Sequence, residues 1–174
     1  MSNAVIDNIL SRRSVRSYLD KEVCEDDLKL ILKAGEYAPS GMGKQSPVIV
    51  AVQSKETIDK LVKMNAEIMG TDLNPYYGAP TIIIVLADKN VNTYLQDGSL
   101  AIGTMMLAAN SLGISTCWIN REYEMFNTKE GRDLLNKWGL SDDLVGVGAL
   151  ALGYAKGKIK EAKPRKENYS IIIK

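Results

Sequence analysis

Three arginines and three serines crowd into Ser11-Arg12-Arg13-Ser14-Val15-Arg16-Ser17-Tyr18. If this segment is extended, successive side chains alternate, and Arg12, Ser14 and Arg16 share one side where they can converge on a single oxyanion. The planar guanidinium suits phosphate in particular. A solvated basic loop at the C-terminal end of a helix, where cations are favoured anyway, is the other reading, and spacing alone leaves both open. The second stretch with chemical potential is Pro39-Ser40-Gly41-Met42-Gly43-Lys44-Gln45-Ser46-Pro47, whose two glycines and two prolines mark a loop able to bring its backbone close to a ligand.

The rest of the composition narrows the chemistry by exclusion. There is no histidine, which removes Ser-His-Asp and Cys-His nucleophile systems and histidine metal sites. Cys24 and Cys117 lie far apart without a CxxC pattern, so a zinc knuckle or dithiol redox motif is not expected, and both read as reduced thiols. Cys117, within the apolar STCWI, reads as a small buried hydrophobe and not as a nucleophile. The 22 basic and 21 acidic residues leave a net charge of +1, which gives no support to nucleic-acid or membrane-surface binding. The N-terminal MSNAVIDNILSRR contains no secretory h-region, so a cytoplasmic location is expected. With 174 residues the chain suits one domain, residues 1–174.

Elements that must hold the two stretches can be read in order. Val5, Ile6, Ile9 and Leu10 form one face of a short helix capped by Asn3, which delivers the arginines. Glu25, Asp26 and Asp27 open a second helix that ends before Pro39. Val48–Val52 and Thr81–Ala87 read as buried strands, with a helix between them capped by Ser54 and facing inward through Ile58, Leu61, Val62 and Ile68. The Thr71–Pro80 loop can hang over a site. Leu95–Leu112 is helix-length with one charge, Asp97, and its apolar residues point around most of the circumference, so it should be buried on all sides. It is either a core helix of a monomer or a helix facing its own copy across a dimer; polar interruptions exclude a membrane span of about 20 apolar residues. Ser115–Ile119 is a third strand, Asn127 and Glu130 look like a capping pair for a helix reaching Trp138, and Leu144–Tyr154 is a strand whose Gly146, Gly148 and Gly153 imply close packing. A basic linker, Lys156–Lys166, leads to an apolar terminal strand, Tyr169–Ile173, that needs a partner in this or a second chain.

The order helix, RRSVR, APSGMGKQSP, apolar strand, buried helix ending LGISTCWI, GALALGY and KPRK resembles the nitroreductase family of FMN-dependent oxidoreductases, especially its short members, over almost the whole chain. The resemblance implies an α+β fold: a mainly antiparallel central sheet flanked by helices, in a homodimer with two FMN sites at the interface and the C-terminal segment, residues 155–174, extended onto the partner subunit. Position by position, it implies that Arg12, Arg13, Ser14 and Arg16 hold the FMN phosphate and ribityl chain, joined by Lys163 and Arg165. Pro39, Ser40 and Gly41 match a loop contacting the flavin held mainly by the other subunit, and Gln45 a polar residue near the ring. Ile119, Asn120 and Arg121 match the backbone lining the N5 edge of the ring. The family's usual Asn in the first glycine-rich loop is Gly43 here, and its Pro-Trp is Ser46-Pro47.

The activity implied is hydride transfer from NADH or NADPH through FMN to a nitroaromatic, quinone or similar small acceptor by a ping-pong mechanism, with an acceptor slot lined by the Thr71–Pro80 loop and Phe126. No catalytic side chain and no metal are expected, since a flavin carries the redox chemistry itself. An FMN-binding sensor or store without substantial turnover is the alternative. A nucleic-acid-binding role would need the basic excess that this chain lacks.

Overall fold

The computed structural model describes residues 3–174. Its centre is a four-stranded sheet of β1 (Pro47–Val52), β2 (Thr81–Asp88), β3 (Ser115–Ile119) and β4 (Leu144–Gly153), in the order β1-β2-β4-β3 with every pairing antiparallel. Helices cover both faces, which explains why β2 is apolar along its length instead of alternating with polar residues. Ile82, Ile84 and Leu86 point into one layer with α3 (Lys55–Met69), α5 (Glu122–Asn127) and α6 (Lys129–Lys137). Ile83 and Val85 point into the other, with α2 (Glu25–Glu36) and α4 (Tyr94–Ser111). The α+β class and antiparallel sheet match the sequence reading.

One irregularity lies at the middle of the sheet. Val85 pairs with Gly148 but Leu86 pairs with Gly146, so Val147 is an extra residue in β4. Such a bulge reverses side-chain parity along the strand. On one side of it Ala149 and Ala151 face the α3/α5/α6 layer; on the other, Leu144 does so while Val147 turns to the opposite face, against Gly98 of α4.

The local signals at helix starts hold at two places and move at a third. Asn3 caps α1 (Ala4–Ser11) through hydrogen bonds from the Val5 and Ile6 N–H groups, and Ser54 caps α3 through that of Thr57. For α6 the cap is Thr128, whose Oγ1 accepts from Gly131 N–H at 3.1 Å, while the side-chain oxygen of Asn127 accepts from Arg132 at 2.5 Å. The threonine wins because α5 already includes Asn127, leaving Thr128 as the one extended residue between the helices. In α3 Leu61, Met64 and Asn65 are buried and Ile58 and Val62 pack partly buried on the same layer, as expected except for Ile68, which is exposed.

Two apolar regions are not covered within the chain. The face of α4 carrying Ala101, Ile102, Met105, Met106 and Ala109 is buried, but Leu95 and Leu100 are about half exposed, so burial on all sides is not achieved by this chain alone. The segment Tyr169–Ile173 forms no strand here, and Ile171, Ile172 and Ile173 are 77%, 85% and 91% exposed. Among the described residues, no helix is long and apolar enough to cross a membrane.

Candidate functional site

The arginine segment runs extended along the outer edge of β3. Ser14 bridges Thr116 in parallel, the Val15 N–H donates to the Thr116 carbonyl at 3.0 Å, and Leu19 and Tyr154 continue the pairing beside the end of β4. Tyr18 turns inward and donates to the carbonyls of Val15 and Ala151 at 2.7 and 3.1 Å, which fixes the segment against the core. Arg12, Arg13, Ser14 and Arg16 line a cavity of about 830 Å³ whose other wall is residues 155–163 and Arg165, so Lys163 and Arg165 join the arginines as the sequence suggested. One alternating side is not what borders the site: all six residues from Arg12 to Ser17 line the same cavity.

Within this cavity the arginines differ. Arg13 turns its Nη1 back onto the carbonyls of Leu10 and Arg12, both at 2.7 Å, where it satisfies the end of α1. Arg16 lies over the ring of Tyr77, 5.9 Å from its centroid, and is thereby tied to the 71–80 loop. Arg12 has a buried Nη1 without a hydrogen-bond partner among the described residues. A buried guanidinium nitrogen left unmatched is costly and asks for an acceptor from outside the chain. Cys117 lies in the same neighbourhood. Burial pushes its thiol above its ordinary range, with Arg16 and Arg12 only partly offsetting this, so it stays a protonated thiol at neutral pH. That agrees with the reading of Cys117 as a buried hydrophobe, although charged neighbours, unseen in the sequence, are present.

The loop at residues 39–47 belongs to a second cavity, of about 330 Å³, lined by Pro39, Ser40, Gln45, Val48, Asp97 and Ala101 among others, and sharing no lining residue with the first. The buried carboxylate of Asp97 organises it: Oδ1 accepts from the Gly41 N–H at 2.9 Å, and Oδ2 from Ser46 and Thr93 hydroxyls at 3.0 and 3.1 Å. Burial pushes the Asp97 carboxyl upward, but these three donors outweigh it and leave it below the ordinary carboxylate value. Gly41 is thus committed to its own chain, since a Cβ there would collide with Thr93. Gly43 has φ +66°, a left-handed conformation that glycine and asparagine accommodate best. This is a physical reason for glycine to stand where the resemblance expects Asn.

Ile119, Asn120 and Arg121 line neither cavity. They form the exit from β3: Ile119 is buried, and Arg121 has φ +84°. Asn65 of α3 grips this turn from inside, donating through Nδ2 to the Asn120 carbonyl at 3.0 Å and accepting from Arg121 Nε at 2.7 Å. Nothing in the sequence marks Asn65, because an asparagine in mid-helix carries no positional signal. Phe126 was expected at an open slot, but it is fully buried against Trp138 at 6.1 Å between centroids, and the 71–80 loop packs inward through Tyr76 instead.

A family model described as the Nitroreductase family matches residues 9–154. A crystal structure of a nitroreductase with bound FMN from Bacteroides fragilis superposes with a TM-score of 0.91 at 33% identity, covering 99% of this chain and 100% of that one. An Archaeoglobus fulgidus protein with the provisional name NADH dehydrogenase/NAD(P)H nitroreductase is 32% identical over 153 residues, 85% of this chain and 83% of that protein. An FMN reductase [NAD(P)H] from Bacillus subtilis is 30% identical over 137 residues, 66% of this chain and 53% of that protein.

Proposed function

Since the chain belongs to the nitroreductase family, we propose that it is an FMN-dependent oxidoreductase that uses NADH or NADPH to reduce a nitroaromatic, a quinone or a similar small acceptor. The observation that carries this reading is the buried, unmatched Nη1 of Arg12 in a cavity lined by Arg16, Lys163 and Arg165. A phosphate monoester presents acceptor oxygens and negative charge to such a cluster, so the residues fit FMN. The chemistry the flavin supplies when bound is hydride acceptance from the nicotinamide and delivery to the acceptor.

The chain's own part is binding and orientation. Arg12 and Arg16 hold the phosphate, with Ser14 on the same strand side and Lys163 and Arg165 closing over it. Arg13 contributes through the end of α1, which it fixes. Pro39, Ser40, Gly41 and Gln45 serve a flavin held mainly by a second copy, and Ile119, Asn120 and Arg121 serve the edge of the ring. The protein is a homodimer in this reading, which is why the 39–45 loop and the arginines occupy separate cavities. The apolar groups left open, Val5, Ile6, Ile9 and Leu10 of α1, Leu100 of α4 and Ile171–Ile173, supply the contact, which should exceed the roughly 2,000 Å² at which obligate pairs begin. The whole chain acts as one domain whose last twenty residues reach over the partner.

The test is to purify the protein, release and identify its cofactor, and compare Arg12→Glu. Yellow wild-type protein that yields FMN, oxidises NADH or NADPH with an added quinone, and loses FMN affinity by tenfold or more in Arg12→Glu supports the reading. Equal flavin content in both proteins overturns the phosphate assignment, and a flavin-loaded monomer in sedimentation overturns the shared site.

A further inference from the structure

Behind the Asn120–Arg121 turn the structure holds a buried polar chain that the function proposed above does not use. Glu122, the first residue of α5, is fully buried, as are Tyr76 and Asn65. Tyr76 donates its hydroxyl to Glu122 Oε1 at 3.1 Å and accepts from Asn65 Nδ2 at 3.3 Å. The same Nδ2 reaches the Asn120 carbonyl at 3.0 Å. Room for Glu122 comes from Gly146 of β4, where any Cβ would collide with the Glu122 backbone. α3, the loop that follows it and the distant start of α5 therefore meet at an amide, a phenol and a carboxyl.

The protonation of this chain follows from its surroundings. Burial pushes the Glu122 carboxyl up to about 8; its own N–H, the Tyr76 hydroxyl and Arg121 pull the other way, and Glu124 adds to the rise. Burial likewise raises the Tyr76 phenol well above its usual value. At neutral pH Glu122 is mostly protonated, and the hydrogen bonds of the chain fix the direction of its dipoles.

That direction has a consequence at the turn. The peptide bonds are trans, so the Asn120 carbonyl and the Arg121 N–H point in opposite directions within one plane. Asn65 pulls the carbonyl inward through Nδ2 and accepts the Arg121 side chain on Oδ1, which aims the Arg121 backbone N–H outward. A non-glycine residue is held at φ +84° there, a conformation that costs energy and persists only where its surroundings enforce it. We propose that Asn65, Tyr76 and Glu122 are positioning residues that fix this turn so that its N–H meets the edge of the flavin ring as a preorganised donor. The proposal rests on the flavin reading given above.

The experiment uses the full chain loaded with FMN and reads binding and potential besides turnover. Asn65→Ala and Tyr76→Phe should each change the relative affinity for reduced and oxidised FMN by about tenfold, or about 30 mV for a two-electron couple. The dissociation constant of oxidised FMN should stay within about threefold, because the arginine cavity is untouched. Glu122→Gln, which keeps a neutral side chain with an acceptor oxygen toward Tyr76, should retain the wild-type potential at pH 7. Wild-type potentials in both Asn65→Ala and Tyr76→Phe, or a shifted potential in Glu122→Gln, overturn the proposal alone. If Asn65→Ala does not fold, Tyr76→Phe decides, since it removes one oxygen atom. Failure of wild-type protein to bind FMN overturns this proposal together with the function on which it rests.

Discussion

Asp97 and Glu122 are both buried carboxyl groups, on opposite layers of the molecule, and they end in opposite charge states. Asp97 receives one backbone and two hydroxyl donors, and its value falls below the ordinary carboxylate range. Glu122 receives one side-chain donor, leaves Oε2 unmatched, and is pushed up to about 8. Both are shielded from solvent, but Asp97 lines the cavity of about 330 Å³ while Glu122 sits inside the α3/α5/α6 layer, so Glu122 carries the heavier desolvation and has fewer donors to offset it. Desolvation and donor supply together decide whether a buried acid works as a charge that gathers a loop or as a neutral link in a hydrogen-bond chain.

The largest expected effect comes from breaking the charged member. Asp97→Ala leaves the Gly41 N–H and the Ser46 and Thr93 hydroxyls without their acceptor and should cost about 3 kcal/mol in a urea titration. A loss under about 1 kcal/mol would mean that the three donors find other partners and that the contrast is false. The middle effect is a pH slope. Between about 4.5, the ordinary glutamate value, and about 8, Glu122 is protonated in the fold and ionised in the unfolded chain, so folding takes up a proton and stability falls as pH rises. From pH 6 to 7.5 this group alone should remove about 2 kcal/mol, and Glu122→Gln should abolish that part of the slope. Asp97 acts with the opposite sign: its stabilisation is present at neutral pH and is lost as pH falls through its lowered value. Tyr76, Arg121 and Glu124 face Glu122 and must be kept intact in the comparison.

The smallest effect sharpens the contrast with a third buried ionisable group. Cys117, neutral because burial outweighs Arg16 and Arg12, has no donor chain behind it. Cys117→Ala should cost about 1 kcal/mol in stability through packing and keep most of the NAD(P)H-dependent acceptor reduction between about pH 6 and 8, after correction for flavin content. A hundredfold loss of rate would show that the thiol takes part in the chemistry.

The contrast was only half readable beforehand. Asp97 was visible as the one charge in an apolar helix, and strands with apolar runs, the Asn3 and Ser54 caps and the extended arginine segment all follow local rules that hold in the structure. Glu122 was not visible, since an acidic residue in the first turn of a helix ordinarily stands at the surface. Its only trace was Gly146, read as a place of close packing without showing what packs there. Phe126 and the α6 cap were misplaced for a related reason. α5, a helix of six residues not expected from the sequence, takes in both Phe126 and Asn127, which buries the ring and leaves Thr128 to cap α6. The outer side of α4 and the Ile171–Ile173 tail were read correctly as apolar, but what covers them lies outside a single chain's pattern.

The extra residue at Val147 constrains how relatives of this chain can diverge. Loops on the surface absorb insertions and deletions with little penalty. Removing one residue at the bulge would instead restore strict alternation in β4 and turn Leu144, Val145 and Gly146 to the opposite faces. The gap that receives Glu122 would then open toward α4, and the side chain now packed on Gly98 would be lost from its helix. Length variation should therefore be rare in this strand and common in its flanking turns, and an aligned gap in β4 marks a lineage that has had to rebuild both layers at once.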